Sequence, residues 1–382
     1  MVAQKAERDA RGQGLLPLML GHFTNDIYSN FLPAYIPPLI AKFSLSLTLA
    51  GAASSVYTMA SSFTQLLFGY AGDRLKITRF VLITPLITAV FMSSVGAMPS
   101  YLLVLCLLIF AALGTATFHP WATPLAGGLS GRGKGTSISL FIAAGSLGFA
   151  LGPLAATGFI SFAGFGRTYL LALPALLVAA ILIKKIRLPE GPPETELPRP
   201  SPLRSLIPIL PLGLIVILRS TVQMAISTFL LVLLEERELS HLAGSFVLGA
   251  FLIMGTVGTL LGGYLSDRLG RRPITALSLA LAYPLYWGFL STSGLFSFLL
   301  LALAGALAAA SNPVLVTQAQ ELAPGHAGIA SALTMGFGWG IAGLLISLVG
   351  WMGDLFGLSA SLRWTILALP LAAAVSLGTR EA

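Results

Sequence analysis

The chain has 382 residues, of which 56% are hydrophobic and only 9% charged, with a formal net charge of +8. Soluble domains carry about 25% charged residues, and so few charges cannot cover a water-facing surface, so lipid must cover much of this one. The positive balance does not indicate a nucleic-acid partner, because Lys and Arg fall in short loops between apolar runs, where they report topology. One cysteine, Cys106, excludes a disulfide framework and a Cys-based metal site.

In chain order, the first half holds apolar runs at 14–41, 47–72, 79–98, 101–127, 135–162 and 168–188. A membrane helix needs about 20 such residues. Met1–Arg11 is polar and mixed in charge, and the first run carries His22 and Asp26, so no cleavable signal peptide is expected. Pro33, Pro37 and Pro38 predict a bend or break late in that run. Leu188–Ser205 holds Pro189, Pro192, Pro193, Pro198, Pro200 and Pro202 among Glu190, Glu194, Glu196, Arg199 and Arg204, and reads as a polar, extended linker. The second half has runs at 205–234, 243–266, 273–293, 295–318, 326–350 and 361–378. The expected fold is an all-α integral membrane bundle of twelve spans. Two six-helix halves, 1–188 and 205–382, flank a linker at 189–204.

Orientation follows from the basic residues. One side collects Arg8, Arg11, Arg74, Lys76, Arg79, Arg132, Lys134, Lys184, Lys185, Arg187, Arg268, Arg271 and Arg272, among others, whereas the other has only Lys42, Arg167, Arg237 and Arg363. Both termini and the linker are then cytoplasmic, and the protein a multi-pass plasma-membrane protein, with a prokaryotic inner membrane favoured by the short loops. The halves also echo each other. Gly69-Tyr-Ala-Gly-Asp73-Arg74 ends the second run and Gly263-Tyr-Leu-Ser-Asp267-Arg268 ends the eighth, 194 residues later. Pro120 and Gly135 recur as Pro313 and Gly328 at an offset of 193. Two matches at nearly one offset argue for duplication, and duplicated helical bundles with a site at the repeat interface are a transporter design.

Gly263-Tyr-Leu-Ser-Asp267-Arg268-Leu-Gly270-Arg271-Arg272 resembles the signature loop of the major facilitator superfamily. The first copy keeps Gly69, Asp73, Arg74 and Arg79 but has Lys76 where the family pattern has glycine. Within that superfamily, His22-Phe-Thr-Asn-Asp26, Phe118-His119-Pro120 and Gly145-Ser-Leu-Gly148-Phe-Ala-Leu-Gly152-Pro153 resemble the fosmidomycin-resistance branch of drug efflux proteins. The resemblance implies a cytoplasmic latch at Gly69, Asp73, Arg74, Gly263, Asp267, Arg268 and Arg271. In physical terms, glycine allows close helix approach and aspartate gains from a neighbouring helix N-terminus; the arginines alternatively serve only to fix topology. Gly148, Gly152 and Pro153 form a small-xxx-small packing face, and resemble the family's antiporter motif, although Ala156 and Thr157 stand where a glycine pair is usual.

Ionisable groups at membrane depth are functional candidates. Only Asp26 among the acids and Arg219 among the bases sit deep in a run, joined by His22 and His119. His22, Asp26 and Asn30 are spaced for one helix face, as are Arg219, Gln223 and Ser227, and as are Thr115, His119 and Thr123. By the repeat offset Asp26 matches Ser220, which puts Arg219 at equivalent depth. The resemblance implies that the first, fourth, seventh and tenth runs line a central cavity.

Asp26 is expected to carry a coupling proton, with His22 and His119 as relay or hydrogen-bond partners. Each of the three has a structural alternative. Arg219 suits a carboxylate, phosphate or phosphonate through its planar fork, or serves as counter-ion to Asp26. Gln223, Asn30, Tyr28, Trp121, Asn312 and Trp339 are candidate substrate contacts, or belong to packing.

The function expected is proton-coupled export of a small, anionic, drug-like compound by alternating access, with fosmidomycin as the cargo implied by resemblance. The alternatives are uptake by proton symport and divalent metal-ion transport, the latter offered imidazole and carboxylate ligands by His22, Asp26 and His119. The expected partners are the small-molecule substrate, protons and the lipid bilayer, the protein acting as a monomer. No cofactor, resident metal or nucleic acid is expected, and the absence of a nucleophile–base motif or phosphate loop argues against an enzyme.

Overall fold

The computed structural model describes residues 2–72, 81–128, 134–186, 207–323, 330 and 332–380. Every regular element among them is a helix: α1 (Val2–Ser29), α2 (Leu32–Phe43), α3 (Leu47–Gly72), α4 (Thr84–Ser94), α5 (Tyr101–Gly128), α6 (Lys134–Ala163) and α7 (Leu173–Lys185). After the described residues resume come α8 (Leu210–Glu236), α9 (His241–Leu269), α10 (Arg271–Ser291), α11 (Gly294–Leu322), α12 (Gly338–Phe356), α13 (Leu358–Thr365) and α14 (Ala368–Leu377). Each predicted apolar run is mainly helical where it is described. Among the described residues, nine stretches are long and apolar enough to cross a bilayer by length and composition, and Thr84–Ala97 is a shorter apolar helix. The first run is divided between α1 and α2, and polar residues dilute α1 and α3: His22, Asn25 and Asp26 in one, Ser54, Ser55, Ser61, Ser62 and Gln65 in the other.

Proline explains where predicted runs are interrupted. The first breaks between Ser29 and Leu32, because Pro33 has no N–H for the Ser29 carbonyl and its ring crowds that group. The last divides into α13 and α14 around Ile366–Leu367, where Pro370 leaves the Ile366 carbonyl without its helical donor. The sixth enters through a 3-10 turn, Phe165–Ala172, before Pro174 opens α7 in its first turn. A π-helical turn, Ala332–Phe337, leads into α12. The expected linker, 189–204, lies outside the described residues.

The chain forms two compact units, one of Met1–Pro38 with Phe63–Thr195 and the other of Leu39–Ser62 with Glu196–Ala382. In the first, α1 packs against α4, α5, α6 and α7. Glycine brings α1 and α6 into backbone contact. A Cβ at Gly148 would fall 2.3 Å from the Phe23 carbonyl oxygen, and one at Gly152 2.5 Å from that of Ile27. Leu18, Leu82, Phe118, Phe141 and Leu182 fill the core at one end of this pair.

In the second unit α11 packs against α9 and α10, and α8 against α12 and α14. A Cβ at Gly258 would lie 1.9 Å from the Ala306 carbonyl oxygen and one at Gly262 2.1 Å from that of Ala310. The opening turns of α3 are held by α12. Asp354 accepts the Leu47 N–H at 2.7 Å and the Thr48 N–H at 2.9 Å, satisfying donors that a helix start leaves free. Ser55 Oγ donates to the Gly343 carbonyl at 2.6 Å.

Because the Ala310 carbonyl cannot move without disturbing α11, Gly262→Leu is expected to lower the thermal midpoint of the detergent-purified protein by several degrees, the cost of overpacking being about 1–3 kcal/mol. Gly158 lies within α6 with nothing inside 4 Å of its missing Cβ, so Gly158→Ala should leave that midpoint unchanged or raise it.

Candidate functional site

The first unit gathers its deep polar groups on one turn of α1. His22 Nε2 lies 3.2 Å from Asp26 Oδ2, and His119 Nε2, from α5, lies 3.4 Å from Asp26 Oδ1. His22 and Asp26 meet because residues four apart share a helix face; His119 joins them through the packing of α5 on α1. The other His22 nitrogen, Nδ1, is 2.7 Å from the Phe141 backbone carbonyl of α6, and its ring stacks on that of Phe141 with centroids 4.0 Å apart. The two histidine rings meet edge to face at 5.2 Å.

This arrangement fixes the proton inventory. A carbonyl oxygen only accepts, so His22 Nδ1 must be the donor in its contact with Phe141. A neutral His22 then presents the bare lone pair of Nε2 to Asp26, and an ionised Asp26 presents another. The contact is satisfied only with a proton between them, either on the ring or on the carboxyl. The three groups also place their ligand atoms within 4.8 Å of one another, a spacing open to a small cation as well as to a proton.

Two residues that the sequence reading placed in motifs without giving them a site role complete this cluster. Asn25 Nδ2 donates to Asp26 Oδ1 at 3.0 Å, while Asn25 Oδ1 accepts from Thr88 Oγ1 of α4 at 3.1 Å. Gly145 makes room for the pair: a Cβ there would fall 2.4 Å from the His22 ring and 2.7 Å from Asp26 Oδ2. The adjacent polar pair Asn25-Asp26 in an apolar run was a usable signal for the first. For Gly145 the signal was its register, three residues before Gly148, on the α6 face toward α1.

In the second unit Arg219 of α8 is 1% exposed. Its NH1 donates to Gln223 Oε1 at 3.1 Å, its NH2 to Ser220 Oγ at 2.9 Å, and its guanidinium lies 5.4 Å from the centroid of the Trp339 ring. Arg219, Gln223 and Trp339 are thus brought together. The partners shown for Asp26 are His22, His119 and Asn25. Tyr28 and Asn30 are tied to backbone: Tyr28 Oη donates to the Leu171 carbonyl at 2.5 Å and Asn30 Nδ2 to that of Phe149 at 2.7 Å. Trp121 packs against the Phe118–Phe141 core and Asn312 is half-buried on α11.

Of the two signature loops, Asp73 and Arg74 lie outside the described residues. Gly69 lies near the end of α3. In the second copy Arg271 pairs with Asp267 at 2.5 Å and with Glu321 of α11 at 3.1 Å, and donates to Ser266 Oγ at 2.7 Å. Arg268 lies over the Tyr264 ring, 4.2 Å from its centroid. Gly262, rather than Gly263, sits at the closest approach to α11, since a Cβ at Gly263 would meet only Pro313 at 3.7 Å. Gly258 and Gly262 share the inward helix face and Gly263 is turned 100° away from it.

A sequence profile of the Major Facilitator Superfamily matches residues 18–347. The fosmidomycin resistance protein of Escherichia coli (strain K12) is 28% identical over 361 residues, covering 88% of this chain and 85% of that protein. An uncharacterized MFS-type transporter, YfnC of Bacillus subtilis (strain 168), is 27% identical over 362 residues, covering 91% of this chain and 88% of its own. Among solved structures, a bacterial homolog of the human lysosomal transporter Spinster, inward-facing and unoccupied, is similar in fold with a TM-score of 0.80, 18% identity and coverage of 97% of both chains.

Asn25→Ala removes a donor from Asp26 inside a buried network, while Thr88 Oγ1 keeps the Thr84 carbonyl within reach at 3.2 Å. A lost hydrogen bond to a charged group costs about 1.5–3 kcal/mol, so the thermal midpoint in detergent should fall, whereas an unchanged midpoint would show that the Asn25–Asp26 bond is not formed.

Proposed function

The chain belongs to the Major Facilitator Superfamily, and from that premise we propose that it exports a small anionic compound in exchange for protons. Membership makes it a multi-pass membrane transporter rather than an enzyme. The finer reading has Asp26 and His22 hold the coupling proton, His119 and Asn25 hydrogen-bond the carboxyl, and Arg219 bind the anionic group of the cargo. The observation that carries it is the hydrogen bond from His22 Nδ1 to the Phe141 carbonyl. With His22 Nδ1 so engaged, a proton shared between His22 and Asp26 satisfies both groups, and losing it sets two lone pairs against each other.

Exchange then needs no direct meeting of proton and cargo. The proton-loaded and cargo-loaded forms favour different conformations, and each ligand shifts the population away from the form that binds the other. By linkage the effect is reciprocal: if binding cargo releases the proton, acidification weakens cargo binding. A proton crossing a membrane potential of 100 mV releases about 2.3 kcal/mol, enough for a cargo gradient on the order of fiftyfold. The name of the Escherichia coli relative makes fosmidomycin the first cargo to test, and its phosphonate suits a guanidinium fork.

The test is reconstitution in liposomes containing a pH-sensitive dye, with an imposed proton gradient. Adding fosmidomycin should start a proton flux that Asp26→Asn abolishes, while the variant still binds the compound. Full coupled flux in Asp26→Asn would remove Asp26 from the mechanism. Flux with divalent cations and with no anion would favour metal-ion transport instead.

A further inference from the structure

The polar cluster on α1 is built to a higher specification than a proton alone requires. The Phe141 carbonyl engages His22 Nδ1 as a donor, so the Nε2 lone pair is directed at Asp26. Metal-ligating histidines have the same arrangement: the second ring nitrogen donates to a carbonyl or carboxylate, which fixes the tautomer and the ring orientation. Asp26 faces both rings, with Oδ2 3.2 Å from His22 Nε2 and Oδ1 3.4 Å from His119 Nε2. Zinc bonds to imidazole nitrogen and carboxylate oxygen are about 2.0–2.2 Å long, which sets neighbouring tetrahedral ligands about 3.3–3.5 Å apart. Both spacings are close to that edge length, and the ligand atoms of all three residues fall within 4.8 Å of one another. Asn25 Nδ2 donates to Asp26 Oδ1 at 3.0 Å, the supporting hydrogen bond that ligating carboxylates have.

The donor set selects the ion. Two imidazoles and one carboxylate suit zinc and its transition-metal neighbours. Calcium and magnesium prefer all-oxygen shells of about six or more ligands, which this cluster does not offer. Three protein ligands leave one tetrahedral position for a water or chloride. The His119 side chain is 29% exposed, against 8% for His22 and 13% for Asp26, so an ion and its fourth ligand enter past His119.

We infer that His22 Nε2, the Asp26 carboxylate and His119 Nε2 form a zinc-binding site, and that a bound zinc ion blocks exchange by occupying the lone pairs that the coupling proton uses. The block rests on the reading of His22 and Asp26 as the proton site. The binding does not.

The experiment titrates zinc chloride into the untagged, detergent-purified full chain by calorimetry. The wild type should bind one ion per chain, with no comparable binding of magnesium or calcium. The chain's other histidines are His241, paired with Glu235, and His326; replacing both by Gln should leave the zinc affinity unchanged. His22→Gln and His119→Gln should each lose the site, and Asn25→Ala should weaken it about ten- to hundredfold. Thermal midpoints without metal show which variants are folded, and His119→Gln, at the most exposed ligand, decides the matter if His22→Gln is not. Absence of zinc binding in the wild type, binding that survives His119→Gln, or binding lost with His241 and His326 overturns the site. A second arm repeats the dye assay on proteoliposomes preincubated with zinc chloride and washed. Fosmidomycin-driven proton flux should be lost and should return on chelation of the metal. Undiminished flux with the site filled, or zinc entering the vesicles as cargo, overturns the block. If flux is absent even without zinc, the exchange reading and the block fail together, while the calorimetry still decides the site.

Discussion

One backbone carbonyl governs the chemistry of the first unit. Phe141 O accepts from His22 Nδ1, which turns the contact between His22 and Asp26 into one that needs a proton to be stable. That carbonyl is in reach only because α6 lies against α1, and α6 lies so close because Gly145, Gly148 and Gly152 put no side chain between the two backbones. The small-residue face therefore helps to build the His22–Asp26 contact. It sets the distance from which the histidine is oriented, and Gly145 leaves the space in which the imidazole and carboxyl meet.

The second unit is organised around positive charge. Arg219 is wholly buried, with its fork partly engaged by Gln223 and Ser220 on its own helix, so its orientation is set within α8. At the end of α9, Arg271 bridges Asp267 and Glu321. Asp267 is well exposed there, and surface ion pairs contribute little to stability. The value of this contact is positional, since it ties the loop between α9 and α10 to the end of α11. Asp354 does similar work elsewhere in the unit, where it caps the first turn of α3.

The helices were legible in the sequence because apolar run length reports membrane helices directly, and the break near Pro33 was expected from proline chemistry, whereas the run at 361–378 was read as continuous and divides before Pro370. The His22–Asp26 and Arg219–Gln223 pairs were legible for the same local reason, a spacing of four. What the sequence could not supply was tertiary. Any residue type has a carbonyl, so nothing marked Phe141 as the partner of His22. The signature motif drew attention to Gly263, whereas helical phase puts Gly258 and Gly262 against α11.

The central claim is that the His22–Asp26 contact holds one proton that the cargo displaces. The most direct measurement is proton release on binding, followed with a pH indicator in weakly buffered detergent solution as fosmidomycin is titrated into the protein. The wild type should release protons in proportion to bound cargo, and Asp26→Asn should bind with no release. Saturable binding by the wild type with no proton released at any pH between 5 and 8, the range in which histidine ordinarily changes charge, would contradict the claim.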